Sequence, residues 1–279
     1  MHQIMKRKRV SFFASLNTDT NISTLLAIYL SVLLVGALFG MTMPLMAFRL
    51  EAMGMGNAFV GFSAAVGVSS MLVMAPLTPR LLRRFGTKNA VLVSCAFVSA
   101  HLLLFPIMED PIVWLPIRFG FGLALCVLFT VSETWLNLVV PSRLRGTCLG
   151  LYGATLATGF AVGPWLLTSI GMEGMAPFAM ASLLAVMMLI VTAMLATDHK
   201  PQHPGTKPRS LWSLWRLTPM PFLAAFIFGG METGVFTLLP LHGLEIGFTQ
   251  SHAAWLLIAV GIGNIILQVP IGWLADRMA

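Results

Sequence analysis

Apolar residues along this chain are grouped into eight long runs separated by short polar stretches. The runs cover residues 24–48, 58–79, 89–108, 112–137, 147–171, 177–196, 219–241 and 252–274. Each run is close to the roughly 20 residues that an α-helix needs to cross the hydrocarbon core of a bilayer. Because backbone amides in lipid must be hydrogen-bonded within their own segment, runs of this length favour helices over the shorter strands of a β-barrel. The pattern predicts an all-α, polytopic transmembrane helical bundle.

The overall composition agrees with a membrane protein. Hydrophobic residues make up 57% of the chain and charged residues 10%, whereas a soluble domain has about 25% charged residues. The net charge of +7 does not indicate a nucleic-acid partner, because Lys and Arg lie between apolar runs instead of on one soluble face. The predicted partner is the lipid bilayer. Cys95, Cys126 and Cys148 lack the spacing of a metal site and are interpreted as packing residues.

Basic residues lie almost entirely on one side of the predicted membrane. If the eight runs cross in alternating directions, 15 of the 17 Lys and Arg residues precede run 1 or follow runs 2, 4, 6 and 8. Arg49 falls in a loop on the other side, and Arg118 falls within a run. Since Lys and Arg accumulate in loops that stay in the cytoplasm, the N-terminus is predicted to be cytoplasmic.

Polar stretches divide the chain into four predicted regions. Residues 1–23 form a basic cytoplasmic N-terminus, residues 24–196 an N-terminal six-helix bundle, residues 197–218 a cytoplasmic linker, and residues 219–279 the first two helices of a C-terminal bundle. Trp212, Trp215 and Arg216 fit either a short interfacial helix or an ordinary loop with two membrane anchors, because indole rings and basic groups both favour the headgroup level.

Features near the ends of the runs recur at nearly one spacing, which indicates a weak internal repeat. The recurring pairs are Pro44 and Pro240, Glu51 and Glu245, and Arg80 and Arg277, which are 194 to 197 residues apart. A second bundle built like the first would need six helices, and this chain has two after the linker. We therefore expect the chain to be a truncated copy of a twelve-helix protein.

Four short motifs carry a resemblance to a known family. The sequence GWLADR at 272–277 resembles the G-x-L-A-D-R loop of the major facilitator superfamily, and RFGFG at 118–122 resembles the R-x-x-x-G pattern of its fourth helix. The run SETWLN at 132–137, with the Arg145-Gly146 and Leu151-Tyr152 pairs after it, is similar to the YcaD-like branch. A fourth motif follows the spacing of helix 5 in antiporters and consists of Gly150, Gly159, Gly163 and Pro164.

Two departures from the family patterns occur. Pro79 stands where the first-bundle copy of the loop motif usually has Asp, and Leu167 and Thr168 stand where the antiporter motif closes with two glycines. The first departure weakens the expectation of a charge-locked inner loop. The second leaves only a faint indication of export or antiport.

The resemblance implies a secondary transporter in the inner (plasma) membrane of a bacterium. In such a protein a small solute binds between two six-helix bundles that rock around it, without a cofactor, and H+ is the candidate coupling ion. The chain has no HExxH, GxSxG or P-loop motif, so we predict no enzyme activity. The alternatives are a nontransporting membrane scaffold or sensor and an inactive truncated transporter fragment.

Two charged residues fall deep within apolar runs. Arg118 lies about 9 Å and Glu232 roughly 13 Å from the outer end of its run, at the rise of an α-helix. Such a charge costs at least about 2.5 to 3.5 kcal/mol, so it is expected to face water or a partner. The resemblance implies a shared cavity that includes Gly122, where Arg118 holds an anionic solute group or pairs with Glu232, and Glu232 carries a proton. The alternative is that Arg118 extends to the membrane surface and Glu232 is merely solvated.

Charged residues at the inner ends of the runs form a predicted gating loop. Its members are Arg80, Arg83, Arg84, Glu133, Asp276 and Arg277. A pair between Glu133 and an arginine could form in one state and break in the other, or it could be a static surface pair worth under about 1 kcal/mol.

Glycines four residues apart are predicted to be helix contacts. These glycine pairs are Gly36 and Gly40, Gly146 and Gly150, Gly159 and Gly163, and Gly230 and Gly234.

Overall fold

The computed structural model describes residues 19–140, 145–198, 215–216 and 219–278. The helices are α1 (Asp19–Ala52), α2 (Asn57–Met74), α3 (Thr78–Phe85), α4 (Thr87–Leu104), α5 (Trp114–Val139), α6 (Arg145–Ile170), α7 (Ala176–Leu195), α8 (Pro219–Glu245) and α9 (Gln250–Met278), with a 3₁₀ turn at Phe105–Ile107. All of them except α3 are long and apolar enough to cross a membrane. Eight spans and no strand within the described ranges confirm the predicted all-α transmembrane bundle.

The short helix α3 was not predicted from the sequence. The predicted run 58–79 contains nearly all of α2, a turn and the start of α3. Pro76 has no N–H to continue the hydrogen-bond ladder of α2, and the Leu77 amide turns back to donate to the Met74 carbonyl at 2.9 Å. Helix α3 then buries Leu82 and exposes its arginines. Its amphipathic pattern is too short to stand out beside the long apolar runs.

Helix α1 forms the centre of the described fold. It packs on α5, α6, α7 and α8, and nearly every side chain from Met41 to Leu50 is buried. A Cβ atom on Gly36 would lie 2.6 Å from the Leu156 carbonyl oxygen, and one on Gly40 would lie 2.6 Å from the Phe160 carbonyl oxygen. The backbones of α1 and α6 therefore touch directly. In lipid, close van der Waals packing of this kind holds helices together.

Two equivalent hairpins join α1 to α2 and α8 to α9. In the first turn the Met55 amide donates to the Leu50 carbonyl at 3.0 Å, and in the second the Phe248 amide donates to the Gly243 carbonyl at 2.9 Å. Glycines with positive φ, Gly54 at 79° and Gly247 at 93°, close both turns. Each pair of equivalent positions is 193 residues apart. This shared helix-end geometry supports the internal repeat.

Charges separate the two ends of the helical bundle. The face that carries the α1–α2, α4–α5, α6–α7 and α8–α9 connections is termed the acidic face, and it includes Glu51, Glu109, Asp110, Glu173 and Glu245. The opposite end is termed the basic face, and it includes Arg80, Arg83, Arg84, Lys88 and Arg216. Most of the predicted N-terminus and linker, with Trp212, lie outside the described residues. Trp215 is described, and its ring contacts Phe222 at a centroid distance of 5.8 Å.

Helices α8 and α9 pack on each other and against the earlier spans. Helix α9 lies along α6, where a Cβ on Gly261 would come within 2.9 Å of the Ala161 Cβ, and α8 contacts α1 and α2. The half of α8 near the basic face is exposed, including Phe226 and Phe228. The α8–α9 pair therefore approaches the other helices most closely toward the acidic face and leaves a cavity behind that contact.

Candidate functional site

A cavity of about 500 Å³ lies among α1, α2, α5 and α6 on one side and α8 and α9 on the other. Its volume is within the range of about 300 to 1,000 Å³ that is usual for small-molecule sites. The wall is mostly apolar, with a few polar side chains. These are Arg118, Cys126, Thr130, Glu232, Thr233 and Asn264. Arg118 and Glu232 thus line one cavity from opposite sides.

Arg118 is buried in the cavity wall without a carboxylate partner. Its side chain is 1% exposed, so it does not extend to the membrane surface. One terminal nitrogen donates to the Ser63 hydroxyl at 3.4 Å, the other lies 3.7 Å from the Met43 sulfur, and Nε has no hydrogen-bond partner. No Asp or Glu oxygen of the described residues lies within 4.0 Å of the guanidinium group. Two long contacts leave most of its five N–H donors unsatisfied.

Glycines position Arg118 by allowing α2 and α5 to approach closely. A Cβ on Gly67 of α2 would lie 3.4 Å from Cγ and 3.5 Å from Nε of Arg118, so the arginine stem runs across this glycine. One turn further along α5, a Cβ on Gly122 would collide with the Ser70 hydroxyl and the Gly67 carbonyl. The R-x-x-x-G spacing therefore has a local explanation. Gly122 brings the helices together, and Gly67 leaves room for the arginine.

Glu232 occupies the α8 side of the cavity. It is partly buried and lies next to Thr233, with Asn264 of α9 in the same wall. It forms no ion pair with any basic group of the described residues within 4.0 Å. The predicted alternative in which Arg118 and Glu232 pair is therefore not present in this state.

A row of aromatic rings leads from the cavity to an apolar plug. Phe39 contacts Phe129 at a centroid distance of 5.7 Å and Phe160 at 5.5 Å, and Phe160 contacts Phe236 at 5.3 Å. The plug is the cluster of Met43, Phe160, Phe236 and Leu257, which come from α1, α6, α8 and α9. Met43 also contacts Arg118, and Phe236 lies one helical turn from Glu232. Both cavity charges therefore adjoin the plug.

A polar contact joins the same helices at the acidic face. The Asn57 side-chain amide, at the start of α2, donates to Glu245 Oε1 at the end of α8 at 2.6 Å, and His242 Nδ1 lies 3.6 Å from Glu245 Oε2. His242 and Glu245 are more than half exposed, with side-chain exposures of 64% and 56%. The Asn57–Glu245 contact therefore joins α2 to α8 at the acidic face, in addition to the helix contacts of the plug.

Glu133 forms no ion pair with the predicted gating arginines of α3 in this structure. Arg80, Arg83 and Arg84 lie on α3 and are exposed at the basic face, as is Glu133 near the end of α5. No oxygen of Glu133 lies within 4.0 Å of their guanidinium nitrogens. Asp276 and Arg277 lie in the last turns of α9, and their side chains are outside the described part of the structure. A gate at this face stays a prediction.

The helix 5 motif divides into glycines with and without a packing role. A Cβ on Gly159 would lie 2.5 Å from the Leu33 carbonyl, and one on Gly163 would collide with the Ala37 carbonyl, so both are required for the α1–α6 contact. Pro164 lies inside α6. A Cβ on Gly150, Gly230 or Gly234 would meet nothing within 4 Å in the described structure. A packing role for these three stays a prediction, because the small-residue spacing does not say which face of a helix is covered.

Several residues of the site were missed from the sequence. Ser63, Gly67 and Met43 contact Arg118, and Asn264 contributes a polar group to the opposite wall. Asn264 has a detectable signal, because it is an amide within an apolar run. The other three are ordinary residues of apolar helices, and only the helix packing reveals their role. Within the described residues, no cluster of His, Cys, Asp and Glu is suited to hold a metal ion.

Known proteins resemble this chain over most of its length. It is 26% identical over 243 residues to the MFS-type transporter YfkF of Bacillus subtilis (strain 168), covering 85% of this chain and 62% of YfkF. It is 27% identical over 224 residues to the MFS-type transporter YcaD of Escherichia fergusonii, covering 78% of this chain and 57% of YcaD. The chain thus spans about three-fifths of the length of these relatives, and YcaD agrees with the branch resemblance.

The fold also matches a solved structure. The human organic anion transporter MFSD10 superposes with a TM-score of 0.68 at 19% identity, covering 89% of this chain and 71% of that protein. The family model described as Major Facilitator Superfamily matches residues 28–279. This multi-pass membrane chain, with its central cavity and eight spans, belongs to the Major Facilitator Superfamily of membrane transporters.

Proposed function

We propose that the chain acts in secondary transport and moves a small solute through the central cavity by alternating access. The first six spans and the α8–α9 pair belong to two bundles that rock about the cavity. The supporting observation is Arg118, a buried cation that lines an apolar cavity and has no anionic partner among the described residues. A charge kept at such a cost within a membrane protein is a functional group by default.

The positions of the basic residues suggest the orientation. Lys and Arg favour the cytoplasmic side, so the basic face and the N-terminus are cytoplasmic in a bacterial plasma membrane. With the plug and the Asn57–Glu245 contact closed, this state would admit solute from the cytoplasm. Opening toward the outside requires Met43 and Phe160 to separate from Phe236 and Leu257, which is a hinge motion of the kind that other domain pairs use around a ligand.

Counterflow in proteoliposomes tests the proposed transport. Radiolabelled p-aminohippurate, uridine and ethidium provide an anion, a neutral solute and a cation. Saturable counterflow of any of them is expected, and a bis-maleimide cross-link between Asn57→Cys and Glu245→Cys should abolish it by holding the acidic side closed. If folded protein moves none of them faster than protein-free vesicles, the alternative of a nontransporting scaffold, a sensor or an inactive fragment is favoured.

Removal of the Asn57–Glu245 contact should shift the equilibrium toward the state that is open at the acidic face. Because the contact is exposed, it is worth under about 1 kcal/mol, so Asn57→Ala should shift that equilibrium by less than about fivefold. The measurement is the rate at which an impermeant thiol reagent, added at the acidic face, labels Leu257→Cys. We expect a rise of roughly two- to fivefold.

Asn89→Ala is the matched control for this prediction. Asn89 is exposed near the basic face, and its side-chain amide donates to the Phe85 carbonyl at 3.1 Å across the α3–α4 junction. This substitution removes a similar hydrogen bond that does not join α2 to α8. An unchanged labelling rate in Asn57→Ala, or an equal rise in Asn89→Ala, would show that the Asn57–Glu245 contact does not hold the acidic side closed.

A further inference from the structure

The unsatisfied N–H donors of Arg118 indicate which chemical group of a ligand would bind there. Arg118 is 1% exposed, its two side-chain contacts are long, and its Nε is buried without a partner. Arginine presents its N–H groups in a planar fork that matches a carboxylate or sulfonate with two parallel hydrogen bonds. The side chain lines the cavity. A ligand with an acid group can therefore satisfy these donors where the protein does not.

The rest of the cavity wall indicates the character of the remainder of the ligand. Phe39, Phe121, Phe129, Phe160 and Phe228 all line the cavity, together with Met71. Aromatic and Met side chains favour apolar or aromatic groups, because they bury large areas and adapt to irregular shapes. A small hydrophilic anion would leave this surface without a partner.

The charges of the cavity limit the charge of the ligand. Arg118 is the only cation and Glu232 the only acid among the described residues that line it. A cation would leave Arg118 unpaired at close range, and a neutral solute could accept its hydrogen bonds but would leave its positive charge uncompensated. A multiply charged phosphate ester would need more basic groups than this wall supplies. A single acid group is the best match.

We infer that the cavity takes an amphipathic organic anion, in which one carboxylate or sulfonate binds Arg118 and an aromatic or branched apolar body lies against the phenylalanines. The inference rests on the proposed function, because it names the solute class of the same cavity. Solute binding would also affect the plug. One Arg118 nitrogen lies 3.7 Å from the Met43 sulfur, and the acid group of the solute would bind to that nitrogen. Solute binding would thus alter a contact of the plug.

A pair of fluorescent probes tests this inference. The probes 8-anilinonaphthalene-1-sulfonate and N-phenyl-1-naphthylamine differ only in the sulfonate group. They are titrated into the protein in phosphatidylcholine nanodiscs, and the signal of empty nanodiscs is subtracted. The unmodified protein is expected to bind the sulfonate about tenfold more tightly than the neutral probe, as a charge-assisted hydrogen-bonded pair implies. This comparison requires no variant to fold.

Substitutions then assign the selectivity to Arg118. Arg118→Met should weaken sulfonate binding about tenfold and change binding of the neutral probe by less than about twofold, and Arg118→Lys should retain an intermediate preference. Lys88→Met is the control for loss of a positive charge, because Lys88 lies at the basic face and its ammonium donates to the Ala193 carbonyl at 2.8 Å. It should leave both affinities unchanged.

Two results would overturn the inference. One is equal affinity of the unmodified protein for the two probes, and the other is an equal loss of both in Arg118→Met, which would indicate a structural role. Equilibrium binding requires no solute movement. Sulfonate selectivity without counterflow therefore contradicts only the proposed transport, and counterflow of solutes without sulfonate selectivity contradicts only the inferred solute class.

Discussion

Replacing Gly163 with alanine is expected to lower the stability of the protein by about 3 kcal/mol. The added methyl would collide with the Ala37 carbonyl and lie 2.7 Å from the Gly40 carbonyl carbon. Both groups are backbone atoms of α1, which cannot rotate away as a side chain could, so α1 and α6 must separate along their contact. We expect the unfolding temperature in detergent to fall by roughly 10 °C.

Gly150→Ala makes the same substitution in the same helix and serves as the control. Gly150 is exposed, and a Cβ there would meet no atom of the described residues within 4 Å. Alanine is favoured over glycine inside a helix by about 1 kcal/mol, so the unfolding temperature should stay constant or rise. Equal unfolding temperatures for the two variants would show that the α1–α6 backbone contact is not a main source of stability.

The helices were predictable because their signal is local. An apolar run of about 20 residues specifies a span whatever its neighbours are, and the predicted runs agree with the eight observed spans. The exception is α3, which depends on Pro76 ending α2 and on burial of Leu82 against neighbouring helices. Its hydrophobic face is only a few residues long. Whether such a face is covered is a property of the tertiary structure.

The candidate site was predictable only where chemistry is unusual for a membrane. Arg118 and Glu232 stand out because charges within apolar runs are rare and costly, and the structure brings both to one cavity. Gly67 and Ser63 support Arg118, yet nothing in their sequence surroundings separates them from Gly61 or Ser69. Their roles depend on how α2 crosses α5. That crossing is set by Gly122, whose importance was suggested by its spacing from Arg118.

The spacing of glycines along a helix does not identify the helix that they contact. Gly159 and Gly163 have the same four-residue spacing as Gly230 and Gly234, but only the first pair touches another helix in the described structure. Small residues permit a close contact without specifying the partner. Gly159 and Gly163 contact the matching pair Gly36 and Gly40. The sequence contains the spacing of both pairs, but only the folded structure shows that the two pairs face each other.

Replacing Glu232 with glutamine is expected to abolish accumulation of solute that depends on a pH gradient. Glutamine keeps the size and polarity of the side chain but cannot bind or release a proton. Glu232 is the only acid among the described residues that line the cavity, with Arg118 as the only lining cation, so no other carboxylate of that lining can replace it. With p-aminohippurate in proteoliposomes under an imposed pH gradient, the steady-state accumulation should fall at least about tenfold, to the level reached without a gradient.

Counterflow of the same solute separates coupling from binding. Counterflow needs solute exchange but no net proton movement, so Glu232→Gln should retain it within about threefold, while the variant loses uphill accumulation. Glu173→Gln is the matched control, because Glu173 is exposed on the acidic face away from the cavity and should behave as the unmodified protein. If Glu232→Gln still accumulates solute in response to the pH gradient, the proton is carried by another group. If counterflow is lost as well, Glu232 acts in solute binding, which is the role proposed for Arg118.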